Sequence, residues 1–305
     1  MGGGMQFEKW EGLGNDYLIL EEDHLLGPLD RDAIALLCHR HLGVGSDGIL
    51  LLCPPTGAVP GAQVRMRIFN PDGSEPEMCG NGIRQFARYV SRHGYVLGNE
   101  FTVETLAGPI RPRLLPGARV RVDMGRARFA SEAIDASGLG EAGKAAGRGS
   151  AEGGMVDIPF SFAGREVRFT FVDVGNPHCV IPLTSLAGVD PARLGPVVEH
   201  HPLFPKRVNV ELISPRPDGS VDMRVWERGV GETQACGTGA TAVGAAAVRL
   251  GLARSPVTVH LLGGDLEIEV GEEWQVVMTG PASQVFEGRL GNELLEQLGW
   301  RAVED

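Results

Sequence analysis

Cys79 and Cys236 stand at the head of matched turns, MCGNG at 78–82 and ACGTG at 235–239, and each turn leads into a helix-like run. A cysteine at a helix N-terminus faces the partial positive charge of unpaired amides, which favours thiolate over thiol and lowers the pKa from about 8.5. Such a thiolate can act as a base. The glycines that follow let a ligand approach the backbone, and the first-turn N–H groups make a ready carboxylate site. If two such turns confront each other across one cleft, one sulfur takes a proton from a carbon on one face while the other returns a proton to the opposite face. The chemical result is inversion of a stereocentre.

Other readings of these residues are weaker. GTGATA at 237–242 superficially matches a dinucleotide fingerprint, but that fingerprint needs an apolar strand directly before it, and ERGVGETQA stands there instead. The remaining cysteines read as structural. Cys38 belongs to the helical pattern DRDAIALLCHRH, whose histidines are polar helix-end residues, and Cys53 and Cys179 adjoin the apolar runs ILLLC and HCVIPL. There is no Cys-x-x-Cys and no Cys/His cluster with finger or ribbon spacing, so no metal site is expected.

The elements that must position the two cysteines repeat along the chain. MCGNGIRQFARYVSRHG (78–94) aligns without gaps on ACGTGATAVGAAAVRLG (235–251), including Arg92 against Arg249 and the closing Gly94 against Gly251. Both segments read as helices stopped by their last glycine, and the β-branched runs FTVETLAG and VTVHLLGG follow. Upstream, LGNDY with Asn15 resembles VGNPH with Asn176, and Asn70 and Glu227 each fall nine residues before their cysteine. Strand-like segments dominate elsewhere: YLIL, GILLL, VRMRIF, RVRVDM, EVRFTFVDV, VNVELI, VDMRVW, LEIEV and QVVMTG. Few are separated by helical patterns, so an α+β fold is expected rather than a doubly wound sheet. The natural division is into halves at 1–125 and 126–282, with the tail 283–305 packing back on the first. Between them the Gly/Ala-rich stretch 131–154 reads as a mobile insertion.

Composition excludes several classes. The 305 residues suffice for one large or two ordinary domains, and 43% hydrophobic with 22% charged residues describes a soluble globular protein. A net charge of −11 without any basic run disfavours nucleic acid as a partner. No apolar stretch approaches the roughly 18 residues that span a bilayer, and MGGGMQFEKW lacks signal-peptide features. The MGGG start reads as floppy. Five scattered cysteines, an odd number, point to a reducing cytoplasm rather than a disulfide scaffold.

GLGNDY, FNPDGSEPEMCGNG, GNPHCV, RVNVE and WERGVGETQACGTG resemble, in that order, the signature segments of diaminopimelate epimerase, over roughly residues 5 to 290. The resemblance implies two pseudo-symmetric α+β domains, each a β-barrel-like sheet around a central helix, assembled as a homodimer. It implies cofactor-independent interconversion of LL- and meso-2,6-diaminopimelate, on the route to lysine and the bacterial cell wall. Cys79 and Cys236 then look like the thiolate/thiol pair, and Gly80, Asn81, Gly237 and Thr238 like the turns holding the reacting carboxylate. Asn15, Asn70, Asn176, Asn209, Glu227 and Arg228 are similar to the substrate-contacting set, with Arg228 suited to a bidentate clamp on the distal carboxylate. His178 and Glu227 match positions that assist the cysteines.

Only Lys9, Lys144 and Lys206 are present, none in a matched motif where a pyridoxal Schiff base belongs. One cysteine must be thiolate while the other is thiol, so coupled titration is expected, and oxidation is expected to join them in an inactive disulfide. Many relatives carry a longer polar residue after the Asp of the loop that here reads GVGSDGILL, where Gly48 supplies no side chain, and the 131–154 insertion is longer than the resemblance leads one to expect. Three alternatives stay open: a proline racemase or hydroxyproline epimerase, which has no need of the Glu227–Arg228 pair; a thiol redox protein; and a catalytically silent amino-acid-binding protein.

Overall fold

The computed structural model describes residues 5–135, 154–162 and 165–300. Residues 1–4 and most of the Gly/Ala-rich insertion, 136–153, lie outside the described residues. The chain divides into two compact units, one of residues up to Val122 together with those from Gly280 onward, the other Asp123–Thr279.

In the first unit, β1 (Gln6–Gly12) and β2 (Asn15–Glu21) form a hairpin. Its two turn residues, Leu13 and Gly14, have φ of 60° and 80°. A two-residue hairpin of this hand needs both in the left-handed region, where a leucine is uncommon. Buried Leu13 makes that turn, and the turn sets Asn15 at the head of β2. Helix α1 (Arg31–Cys38) opens on Asp30, whose carboxylate accepts the Ala33 amide, and buries Ala33, Ile34, Leu37 and Cys38. The strand β3 (Ile49–Cys53) is buried at every position, as the unbroken run ILLLC requires. Then come β4 (Ala62–Phe69), α2 (Gly80–Arg92), β5 (Thr102–Thr105) and β6 (Gly108–Ile110). The strand Ser283–Arg289 adds antiparallel to β1, giving the order Ser283–Arg289, β1, β2, β3, β4, β5, β6. Leu290, Leu295 and Trp300 from the C-terminal segment close a core with Phe7, Leu18, Ile34 and Leu37. A hairpin of β7 (Arg113–Leu115) and β8 (Arg119–Arg126) carries the chain out of the unit.

The second unit runs β9 (Ile158–Phe162), β10 (Arg165–Asp173), β11 (Pro177–Pro182), α3 (Pro191–Glu199), β12 (Asn209–Pro215), β13 (Val221–Glu227), β14 (Gly231–Glu232), α4 (Gly237–Arg249), β15 (Val257–Leu261), β16 (Gly264–Val270) and β17 (Gln275–Pro281). Its pairings from β10 to β16 are antiparallel, parallel, antiparallel, parallel and antiparallel. Those from β1 to β6 follow the same series. Each unit thus passes through the same succession of strands and helices, with a cysteine-headed helix leaving the fourth strand. α4 packs against β10, β11, β12, β13, β15 and β16 and is buried nearly all round by small residues, while α2 packs against β1 and β2. The α+β expectation, a sheet wrapped on a central helix in each of two units, describes the chain.

Candidate active site

Each cysteine is the N-cap of its helix. The Cys79 sulfur accepts the Gly82 amide at 3.3 Å, and the Cys236 sulfur accepts the Gly239 amide, also at 3.3 Å. Neither second glycine has a positive φ; each is required by packing. A Cβ on Gly239 would lie 2.9 Å from Met223 Cε, 3.0 Å from Glu211 Oε1 and 3.2 Å from Cys236 Cβ. One on Gly82 would lie 3.0 Å from Leu50 Cδ2 and 3.5 Å from Cys79 Sγ. Each turn therefore has no room for a side chain at its second glycine.

Around Cys79 the structure gathers Asn15, Asn81 and the Gly80 turn. The Asn81 amide donates to Asn15 Oδ1 at 3.2 Å, and Asn15 donates to Asp47 at 3.0 Å. Beneath them, fully buried Arg84 donates to Gly80 O, Asn81 Oδ1 and Pro281 O. Burial pulls its guanidinium down to about 10, against the nearby Cys79 and Glu11, which favour its charge. Asn70 takes part in a separate arrangement, its amide donating to Ser74 Oγ within its own loop.

Around Cys236 the contacts form a chain. His178 Nδ1 lies 2.6 Å from Glu211 Oε1, His178 Nε2 lies 3.0 Å from Asn176 Oδ1, and Asn176 Nδ2 donates to Thr238 Oγ1 at 3.3 Å. The Thr238 hydroxyl is 3.5 Å from the Cys236 sulfur. The Nε2 proton is assigned from the Asn176 amide, whose NH2 faces Thr238. Both imidazole nitrogens are committed, so His178 as placed holds Asn176 rather than offering a free base. Asn209 donates to Pro177 O and accepts the Arg228 amide at 2.9 Å, fixing the backbone that carries the Glu227–Arg228 pair. The Arg228 guanidinium donates to Lys206 O, and the Glu227 carboxylate accepts the Thr233 hydroxyl.

The helix start does not make the Cys236 thiol acidic. Burial pushes the Cys236 thiol well above its ordinary value, and the neighbouring Glu227 charge adds to the rise. These outweigh the Gly239 amide and Thr238 hydroxyl, and so favour the thiol form of Cys236. Burial likewise raises Glu227. Cys38, Cys53 and Cys179 are buried in the cores and also raised by burial, Cys53 to about 12.

The family model described as diaminopimelate epimerase matches residues 7–130 and 170–285. The chain belongs to the diaminopimelate epimerase family. It is 48% identical over 290 residues to the diaminopimelate epimerase of Moorella thermoacetica, covering 93% of this chain and 98% of that protein. It is 45% identical to the Desulfitobacterium hafniense diaminopimelate epimerase, covering 95% and 100%. The fold resembles that of a hydroxyproline epimerase from Agrobacterium vitis at TM-score 0.65 and 16% identity, covering 97% of this chain and 93% of that one. It also resembles that of a probable proline racemase from Agrobacterium radiobacter at 0.66 and 15%, covering 94% and 93%.

Several residues of this member of the diaminopimelate epimerase family escaped the motif reading. Tyr17 and Glu211 lie two residues beyond Asn15 and Asn209 on the same strands, so strand alternation puts each pair on one face, a signal available in the sequence. Buried Glu199 accepts Trp226 Nε1 at 2.7 Å and the Gly229 amide at 2.9 Å, gripping the Glu227–Arg228 segment from both sides. Nothing local announces Glu199, whose partners are distant in sequence; Arg84 ties its own helix start, through Gly80 O and Asn81 Oδ1, to the distant Pro281 O. Among the described residues no helix is long and apolar enough to cross a membrane, and no group of three or more His, Cys, Asp or Glu is placed to hold a metal ion.

Proposed function

We propose that this chain interconverts LL- and meso-2,6-diaminopimelate through two cysteines, Cys79 and Cys236, without a cofactor. The observation that carries this reading is the pair of N-cap sulfurs, each accepting the amide of the second glycine in a matched turn. The resting thiolate takes the α-proton: an S–H bond forms as the C–H bond breaks, and the electron pair spreads into the adjacent carboxylate. The helix-start amides at Gly80, Asn81, Gly237 and Thr238 stabilise that developing charge. The other cysteine then gives its proton to the opposite face, and the sulfurs have exchanged protonation states. A two-base inversion requires one sulfur on each face of the carbon. The raised pKa of Cys236 supports its starting as the thiol, which leaves Cys79 as the starting base.

Arg228 suits the distal carboxylate, and Asn15, Asn70, Asn176, Asn209 and Glu227 offer oxygens to the ammonium groups. His178 supports the reaction by orienting Asn176. The same reading makes the protein a homodimer of the cytoplasm that supplies meso-diaminopimelate for lysine and peptidoglycan; light scattering at the mass of a single chain would remove the dimer from it.

Proton NMR of the reduced protein with LL-diaminopimelate in D2O is the direct test. Deuterium at the α-carbon together with meso product is expected, and both should vanish in Cys79→Ala and in Cys236→Ala. Exchange with proline or hydroxyproline but not with diaminopimelate would keep the chemistry and overturn the substrate.

A further inference from the structure

The Tyr17 hydroxyl lies 3.3 Å from the Cys79 sulfur. Tyr17 sits on β2 with its side chain almost wholly buried, so the ring is held by packing and its hydroxyl reaches the sulfur from the strand side. The Gly82 amide meets the same sulfur from the helix side at 3.3 Å. A second observation explains how the ring is admitted. A Cβ on Gly48 would stand 2.7 Å from Tyr17 Cε1 and 2.4 Å from Phe69 O, so any side chain at 48 would collide with the ring and the backbone of β4. The Gly48 backbone is itself fixed, its carbonyl accepting the Leu18 amide at 3.1 Å and the Ser46 hydroxyl at 2.8 Å. Gly48 and Tyr17 are thus one structural unit, in which the missing side chain at 48 makes room for the ring.

The other unit differs at the corresponding place. His178 follows Asn176 as Tyr17 follows Asn15, yet both His178 nitrogens are bonded elsewhere, to Glu211 and Asn176. Cys236 has instead the Glu227 carboxylate beside it, which opposes thiolate formation. The groups facing Cys79 are of the opposite kind: the Tyr17 hydroxyl from β2, and from α2 the Gly82 amide and the buried Arg84 guanidinium, which in turn faces Glu11.

We propose that Tyr17 is a further residue of the reaction centre, its hydroxyl donating to the Cys79 thiolate and holding that sulfur in position to accept the α-proton. This rests on the reading of Cys79 as a proton-transfer group. A phenol is ordinarily the weaker acid of the two, so the proton stays on oxygen and the O–H···S⁻ bond stabilises the anion. When Cys79 carries the proton, the hydroxyl remains a hydrogen-bond partner to neutral sulfur, a weaker contact, so the bond is strongest to the charged sulfur.

The test is Tyr17→Phe, which keeps the ring and removes only the hydroxyl. The rate of Cys79 alkylation by iodoacetamide, mapped by peptide mass across pH, reads the thiolate directly. Loss of one hydrogen bond to a charged sulfur is expected to move the midpoint up by about 1 pH unit and to lower kcat several-fold, with KM little changed. Gly48→Ala, which displaces the ring while leaving the hydroxyl in the protein, should shift the midpoint the same way, and should add no further shift in the Tyr17→Phe background. An unmoved midpoint in Tyr17→Phe with unchanged kcat overturns the role of Tyr17. If Cys79→Ala still exchanges the α-proton, it is the reading of Cys79 that fails, a separate result from the failure of Tyr17.

Discussion

At the scale of single residues, the five thiols differ through their surroundings. Cys79 is half-buried, whereas Cys38, Cys53 and Cys179 are enclosed in the cores and held protonated by burial. Iodoacetamide at neutral pH is therefore expected to label Cys79 first, as read by peptide mapping; earlier labelling of Cys53 or Cys179 would contradict this placement. Cys236 has a raised pKa for two reasons, and one of them can be removed. In Glu227→Gln the charge beside it is gone, so the Cys236 titration should move to lower pH while kcat falls by roughly 10²-fold if the carboxylate assists proton transfer. The buried thiols also bear on stability. Cys53 stands near 12 when folded against an ordinary 9.0, so the unfolded chain loses that proton first. The stability linked to it is complete below pH 9 and is lost as pH rises towards 12. Urea midpoints should decline between pH 9 and 11, less steeply in Cys53→Ala.

At the scale of elements, the glycines of the cysteine turns act through space rather than through φ. Gly239→Ala must push Met223 or Glu211 aside, and is expected to cost ~1–3 kcal/mol in denaturant titration and to depress kcat by moving the Cys236 sulfur. The N-cap of α1 makes a control. Asp30→Ala removes the bond to the Ala33 amide and should cost ~1 kcal/mol while leaving kcat unchanged. Glu199→Ala releases both ends of the segment bearing Glu227 and Arg228. Its signature should be a rise in KM for diaminopimelate beyond any loss of stability, because the backbone that carries Glu227 and Arg228 loses its anchors at Trp226 and Gly229. The helix α3 that carries Glu199 holds two ordinary helix breakers, Gly195 and Pro196. Gly195 is there because a Cβ would lie 2.1 Å from Trp226 Cγ, a reason visible only once β13 is packed beneath it.

At the scale of the whole molecule, the chain leaves its first unit at Val122 and returns to it at Gly280. Trp300, Leu295 and Leu290 complete the core that Leu18 and Ile34 begin. A chain ending after Thr279 should therefore lose protection from hydrogen exchange along α2 while α4 stays protected; equal protection of both helices would sink this prediction. Trp300→Ala alone should cost ~3–5 kcal/mol in the first unit.

The doubled cysteine turn, the helices it opens, the strand runs and the α+β class follow from local pattern: apolar periodicity, a stopping glycine and a cap are properties of a few consecutive residues. The repeat also matches Asn15 with Asn176 and Asn70 with Glu227, whose substrate-contacting roles the family resemblance implies. What the sequence could not determine is which partner each group meets. The helix-start argument is the same for both thiols, yet burial and Glu227 override it at Cys236. Glu199, Glu211 and Tyr17 take their roles from atoms far away in sequence or across a sheet, and Arg84 adds to its local bonds one to the distant Pro281 O. Hydrogen bonding and desolvation depend on distance in space, and only the packing of strands on a central helix fixes those distances.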